Sequence, residues 1–394
     1  MSYGYRPAPY YTQSRPLSAR AAGPLSLVRR FDWVLMLSVL ALGIIGSALV
    51  WSATRSQYES LGADPYSSLK RHLFNLAIGF VLCGLLAVFD YRLLRAYAPL
   101  VYVASCVGLV AVLSPLGATI NGSHSWIVLG GGFSVQPSEF AKVALVLGMA
   151  MLLAEKRIDE DTPRDIDVIY TLLLAAAPII LVMLQPDVGT VMVFTVMVLG
   201  VILVSGAPNR WVVGLVTVGV LGIVAIVQLG VLSQYQVNRI AAFANPALDP
   251  AGAGYNANQA RIAVGSGGLW GKGLGEGSQT SGNFVPEQQT DFIFTVAGEE
   301  LGFVGCAVIL GLFGLVLWRA LRIAATTHEQ YGVLIAAGVA AWLGFQVFQS
   351  VGMTVGIMPI TGLPLPFLSY GGSSMFATMM AVGLLQNVYV RRQV

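Results

Sequence analysis

Long apolar blocks separated by short polar punctuation dominate this chain. Ten blocks reach the length needed to cross a hydrocarbon core about 30 Å thick: Trp33 to Ala53, Leu73 to Phe89, Ala96 to Leu113, Ser138 to Ala154, Val168 to Leu184, Val188 to Ser205, Trp211 to Leu232, Phe292 to Leu321, Tyr331 to Ile357 and Ser373 to Tyr389. The pattern therefore predicts an all-α, polytopic membrane protein with about ten transmembrane helices. Most connections are short. The exception is residues 233–290 between the seventh and eighth helices, rich in Gly, Asn and Gln. Loops of that length are usually functional or disordered. Apolar residues such as Ile240, Phe243, Tyr255, Ile262 and Trp270 argue for order. Short interfacial helices are expected at Asn238 to Ala244 and Asn256 to Val264.

Composition supports the membrane assignment and excludes a soluble domain. With 56% hydrophobic and 10% charged residues and a mean hydropathy of +0.74, there is too little charge to build a water-facing surface. Most of the 22 basic residues fall in loops on one side if the N-terminus is cytoplasmic, which places both termini inside. The expected setting is a cytoplasmic membrane. Residues 1–30, rich in Tyr, Pro, Ser and Arg, read as a disordered cytoplasmic tail preceding a membrane domain at 31–394. Cys83, Cys106 and Cys306 lie within helices, and His72, His124 and His328 are far apart in sequence. Neither a disulfide framework nor a dedicated His/Cys metal site is expected. The basic residues fit topology signals and anionic membrane lipids, and no nucleic-acid partner is expected.

Four polar constellations on the outer side carry the candidate chemistry. The first, Gln136-Pro-Ser-Glu-Phe-Ala-Lys, opens the fourth helix and puts Glu139 and Lys142 on one helix face. Either the two neutralise each other, or Lys142 offers a cation to an anionic substrate. In the second, Gln185-Pro-Asp-Val-Gly-Thr, Asp187 stands where an acid caps the sixth helix. The third, Met358 to Ser374, contains Pro359, Pro364 and Pro366, which forbid a regular helix. Such backbone is tolerated at membrane depth only inside protein or beside an aqueous cavity. Its last residues, including Ser369, Gly371 and Ser373, either receive a phosphate at the start of the tenth helix or simply pack.

The fourth, Val285-Pro-Glu-Gln-Gln-Thr-Asp-Phe-Ile-Phe, places Asp291 where the long loop meets the eighth helix, with Glu287, Glu299 and Glu300 nearby. A helix from Asp291 to Trp318 would be about 40 Å long, so it must tilt or begin above the bilayer. An acid at that depth is costly unless it is used. On the residues alone, Asp291 is a helix cap beside Thr290 or a reactive carboxylate.

These blocks, together with Trp126-Ile-Val-Leu-Gly and Gly298-Glu-Glu-Leu-Gly, occur in order along the chain and resemble the SEDS family of bacterial cell-wall proteins. Gly277-Ser-Gln-Thr-Ser-Gly-Asn-Phe-Val-Pro-Glu is more similar to the elongation branch than to the division branch, which usually has a lysine there. The resemblance implies a peptidoglycan glycosyltransferase that polymerises lipid II into glycan strands on the outer membrane face, in elongation and shape maintenance. It also implies a catalytic role for Asp291. In that reaction a carboxylate takes the proton of an attacking sugar hydroxyl, while a polyprenyl diphosphate leaves and needs cations.

Lys142, Arg239, Arg261 and Lys272 are candidates for the diphosphate, with Glu139, Ser369, Gly371 and Ser373 as further contacts and Glu287, Asp187 and Glu300 in support. A divalent cation, Mg²⁺ or Mn²⁺, held partly by substrate phosphates is a further expectation. The expected partners are lipid II and the growing strand, a class B penicillin-binding protein that cross-links, and the elongation machinery. The chain departs from the family pattern at Ser125, Gln289 and Ser350, where Arg, His and Asn are common in relatives. Two rival functions are a lipid II flippase and a non-catalytic scaffold. A flippase needs a polar path through both leaflets, whereas the charges here gather on the outer side.

Overall fold

The computed structural model describes residues 30–120, 123–130, 133–155, 162–228, 243, 245 and 252–392. The expected N-terminal tail, Arg239 and nearly all of the expected helix at Asn238 to Ala244 lie outside them. In chain order the helices are α1 (Trp33–Ser60), α2 (Ser67–Val88), α3 (Tyr91–Leu113), α4 (Pro137–Leu153), α5 (Asp165–Met183), α6 (Val188–Val204), α7 (Asn209–Gln228), α8 (Ala253–Ser266), α9 (Ser278–Ser281), α10 (Ile293–Glu300), α11 (Gly302–Thr326), α12 (Gln330–Val355) and α13 (Gly372–Arg391). Among the described residues, α1, α2, α5, α11, α12 and the Leu93–Leu113 part of α3 are long and apolar enough to cross a membrane. The others that carry predicted spans are shorter or more polar, and α4 is enclosed almost throughout.

As far as the described residues reach, all ten predicted spans fall on helices, with two departures in detail. A three-stranded antiparallel sheet separates α3 from α4: β1 (Gly117–Ile120), β2 (Ser123–Gly130) and β3 (Phe133–Val135), in the order β1-β2-β3. Gly117 pairs with Ile127 and lies so close to α3 that a methyl group there would meet Val112 O at 1.9 Å.

The second departure is the span from Phe292 to Leu321, which is broken at Leu301–Gly302 into α10 and α11. Gly302 has φ +66°, and a methyl group on it would lie 2.2 Å from Gly271 N. The glycine-rich loop fills the break. Lys272 N and Gly273 N donate to the carbonyls of Glu299 and Glu300, while Phe303 N and Val304 N donate to the carbonyls of Gly268 and Leu269. Both sets of helix-end groups thus find partners in one loop.

The two ends of α1 mark opposite poles of the molecule. At its start, buried Asp32 caps the helix by accepting from Leu35 N, and Arg319 of α11 donates to the same carboxylate from Nε at 2.6 Å. Gln386 of α13 brackets the Asp32 backbone, accepting from its N–H and donating to its carbonyl, both at 2.9 Å. At the far end, Ala53 O accepts from Gln288 and Ser52 donates to Glu300. Ser52 and Ala53 lie 20 and 21 residues beyond Asp32, about 30 Å along the helix. The Pro-Glu-Gln-Gln-Thr-Asp motif therefore sits a membrane's width from the Asp32–Arg319 clamp. Elsewhere, small residues bring helices close: methyl groups on Gly79 and Gly383 would lie 2.7 Å from Met379 Cγ and Cys83 O, so α2 and α13 touch nearly backbone to backbone.

Candidate active site

Asp291 lies in a tight turn and not on a helix cap. The carbonyl of Glu287, which has φ +53°, accepts from Thr290 N, Asp291 N and Phe292 N, and Thr290 Oγ1 donates to Glu287 Oε2 at 3.2 Å. The N-cap of α10 falls on Phe292, one residue later than a cap at Asp291 requires. An apolar clamp holds the turn from below, formed by Val285 and Phe292 with Ala260 and Ala263 of α8, and with Ile360 packed against them. The predicted helix at Asn256 to Val264 is thus present and supports the site. Asp291 is half-buried.

The proline-rich third constellation closes directly onto this turn. Gly362 has φ +76°, and a methyl group on it would stand 3.1 Å from Asp291 Oδ2. Farther along, Tyr370 N donates to Gln289 O at 2.8 Å. Gly189 at the start of α6 and Gly46 in α1 flank the same segment, since methyl groups there would lie 3.0 Å from Leu363 Cγ and 2.6 Å from Leu368 Cα. Close backbone approach of this kind makes an irregular segment tenable at membrane depth.

The first two constellations join it from the other side. Asp187 caps α6 by accepting from Thr190 N and Thr190 Oγ1, and it also accepts from Gln136 Nε2 at 3.3 Å. Gln136 N donates to Ser373 Oγ at the start of α13, whereas Ser369 Oγ accepts from Leu365 N. The capping role of Asp187 is therefore real, and Ser369 and Ser373 both serve backbone groups. Gly371 is the N-cap residue of α13, with extended backbone and no side-chain cap.

Two candidate cations are already engaged. Lys142 is fully enclosed: Nζ donates to Glu139 Oε1 at 2.7 Å and to Gln346 Oε1 at 3.3 Å, and lies 5.2 Å from the centre of the Trp342 ring. In this arrangement it presents no charge to a surface, so the internal ion pair is the reading its geometry supports. Lys272 donates to Glu299 Oε1 at 2.8 Å. Glu299 also accepts from Gln279 N, Thr280 N and Thr280 Oγ1, so its two oxygens tie α9 and the glycine-rich loop to α10. Glu300 does the same toward α1 through Ser52. Arg261, by contrast, is exposed on α8 and only brushes the carbonyl of Gly356 at 3.5 Å.

Sequence inspection overlooked Gln346 and Gln349, two fully buried amides one turn apart on α12. Their signal was present: glutamine twice at helical spacing inside an apolar span needs internal partners. Ser125, which stands where relatives often carry Arg, is buried and accepts from Ser123 Oγ. Among the described residues, no three His, Cys, Asp or Glu side chains converge as a metal site.

Comparison with known proteins matches this arrangement. Residues 32–394 match the model of the FtsW, RodA and SpoVE family, described as "Cell cycle protein". Stage V sporulation protein E of Bacillus subtilis is 39% identical over 360 residues, covering 91% of this chain and 96% of that protein. A protein of Trichlorobacter lovleyi named as a probable peptidoglycan glycosyltransferase FtsW is 37% identical, covering 91% and 93%. A solved chain from work titled "Structural coordination of polymerization and crosslinking by a peptidoglycan synthase complex" superposes with a TM-score of 0.74 at 33% identity, covering 92% of this chain and 98% of that one.

Proposed function

We propose, from the premise that this chain belongs to the FtsW, RodA and SpoVE family and is a peptidoglycan glycosyltransferase of cell-wall synthesis, that Asp291 is the general base of glycan polymerisation. The observation that carries the proposal is the turn itself. Asp291 is the half-buried acid at the meeting of the glutamine-rich motif, α8 and the proline-rich crossover, while Glu299 and Glu300 are consumed in holding loops. Its carboxylate takes the proton from the attacking hydroxyl of a lipid II sugar as the bond to the polyprenyl diphosphate breaks. Such a base contributes about 100- to 10,000-fold in rate. Asp291→Asn should therefore abolish strand synthesis from purified lipid II with folding unchanged; normal polymerisation by that variant would overturn the assignment.

For the departing diphosphate, Arg261 is the exposed cation on the helix that supports Asp291, with the start of α13 at Gly371 as a second contact. Among the described residues no three His, Cys, Asp or Glu side chains converge to hold a metal without help from the substrate. A Mg²⁺ or Mn²⁺ ion carried by the substrate phosphates predicts inhibition by chelator, and full activity in chelator rejects it. An elongation role rests on Gly277 to Glu287, and rescue of rod shape in elongation-deficient cells tests it. The complex named by the structural relative supports pairing with a class B penicillin-binding protein. The sidedness of α1 and the basic loops support an outward-facing Asp291 and cytoplasmic termini.

A further inference from the structure

Full burial of Lys142 raises the question of what its charge does. Two donors converge on one atom of the Gln346 amide: Lys142 Nζ at 3.3 Å and Trp342 Nε1 at 2.7 Å. That atom must be the oxygen, because an amide nitrogen has no lone pair to offer them. The amide nitrogen is thereby aimed the opposite way, and it donates to Pro364 O at 2.8 Å. One turn along α12, Gln349 Nε2 donates to Pro359 O, also at 2.8 Å. These two carbonyls bracket Ile360 to Leu363, the stretch whose Gly362 backs onto Asp291 Oδ2. Neither carbonyl has a helical partner, since the prolines rule out a helix here.

We infer that Lys142 is a positioning residue. Paired with Glu139, it fixes the orientation of the Gln346 amide, and Gln346 with Gln349 holds the crossover at the height where Gly362 meets the Asp291 carboxylate. The charge inside α4 thus reaches the reaction through an amide and a carbonyl and touches no substrate. This inference rests on Asp291 being the reactive carboxylate, but the brace itself is a property of the unliganded protein.

The experiment compares Lys142→Met, Gln346→Met and the double variant, because Gln346→Met leaves the Glu139–Lys142 pair intact if loss of the lysine unfolds the chain. Hydrogen exchange without substrate should rise at the amides of Ile360 to Leu368 in each variant, with α4 and α12 still protected. Misplacement on the order of 1 Å costs about 100-fold. Polymerisation kcat should accordingly fall about 10- to 100-fold with KM for lipid II nearly unchanged, and the double variant should be no worse than the more damaged single one. A raised KM with kcat retained in Lys142→Met would mean direct substrate contact and overturn the inference. So would multiplying effects, or exchange at Ile360 to Leu368 that stays at the parental rate. Asp291→Asn run alongside separates the two readings: if it polymerises normally while exchange in the brace variants rises, the base assignment fails and the brace stands.

Discussion

Glu139 and Glu299 are both buried carboxylates that meet one lysine each, yet they do opposite work. Glu299 sits at the seam between α10 and the glycine-rich loop, and both its oxygens are taken by Lys272 and the residues of α9. It is an end point, and its lysine remains 30% exposed to solvent. Glu139 meets a lysine with no exposure at all, and only one of its oxygens has a partner among the described residues. Lys142 then passes the interaction on to Gln346 and the crossover. A saturated acid fastens two pieces, whereas an acid left partly open tunes the group beside it. That difference separates an ion pair that ends at a loop from one that continues through Gln346 to the crossover.

Glu139→Gln breaks the comparison most severely. It leaves Lys142 charged where its side chain has no solvent exposure, and removal of one partner from a buried pair costs about 3–5 kcal/mol. Thermal unfolding in detergent should show a large loss, along with reduced polymerisation. Lys272→Met should cost less, about 1–2 kcal/mol, because Glu299 keeps several neutral donors and solvent reaches the vacated position. Its polymerisation rate per folded molecule should stay near the parental value. If Lys272→Met destabilises more than Glu139→Gln, the staple and the tuned pair have been assigned the wrong way round. The smallest effect is expected for Asp187→Ala, which removes the cap of α6 and should cost about 1 kcal/mol in the same melt. A much larger loss would show that the contact from Gln136 to Asp187 matters more than the cap.

Much of this is legible in the sequence alone. Among the described residues, block lengths placed the predicted spans on helices, because the bilayer's thickness allows few alternatives. The Pro359, Pro364 and Pro366 triplet marked the crossover, and Asp291 stood out by depth and company. What stayed hidden depends on contacts distant in sequence. Glu299 finds Thr280, Glu300 finds Ser52, and Asp32 finds Arg319, none of which any local pattern announces. The sheet at Gly117 to Val135 was missed because its strands are short and set within a connection. The break at Gly302 was missed because apolar residues continue on both sides of it. The spacing of Glu139 and Lys142 left an ion pair and a substrate cation both open, because the enclosure of Lys142 by Trp342 and Gln346 was not visible.

The spliced break in the eighth span has a mechanical consequence. Residues 268–273 supply the missing hydrogen bonds on both sides of Gly302, so this short stretch of backbone is shared between α10 and α11. A lean or rotation of α11, whose outer surface carries exposed Phe303, Val304 and Val308, cannot take place without dragging that stretch along. The loop in turn is anchored to Glu299 and Glu300, a few residues beyond Asp291. Helix α11, α10 and the glycine-rich loop are therefore laced together by backbone hydrogen bonds at a single point in the chain.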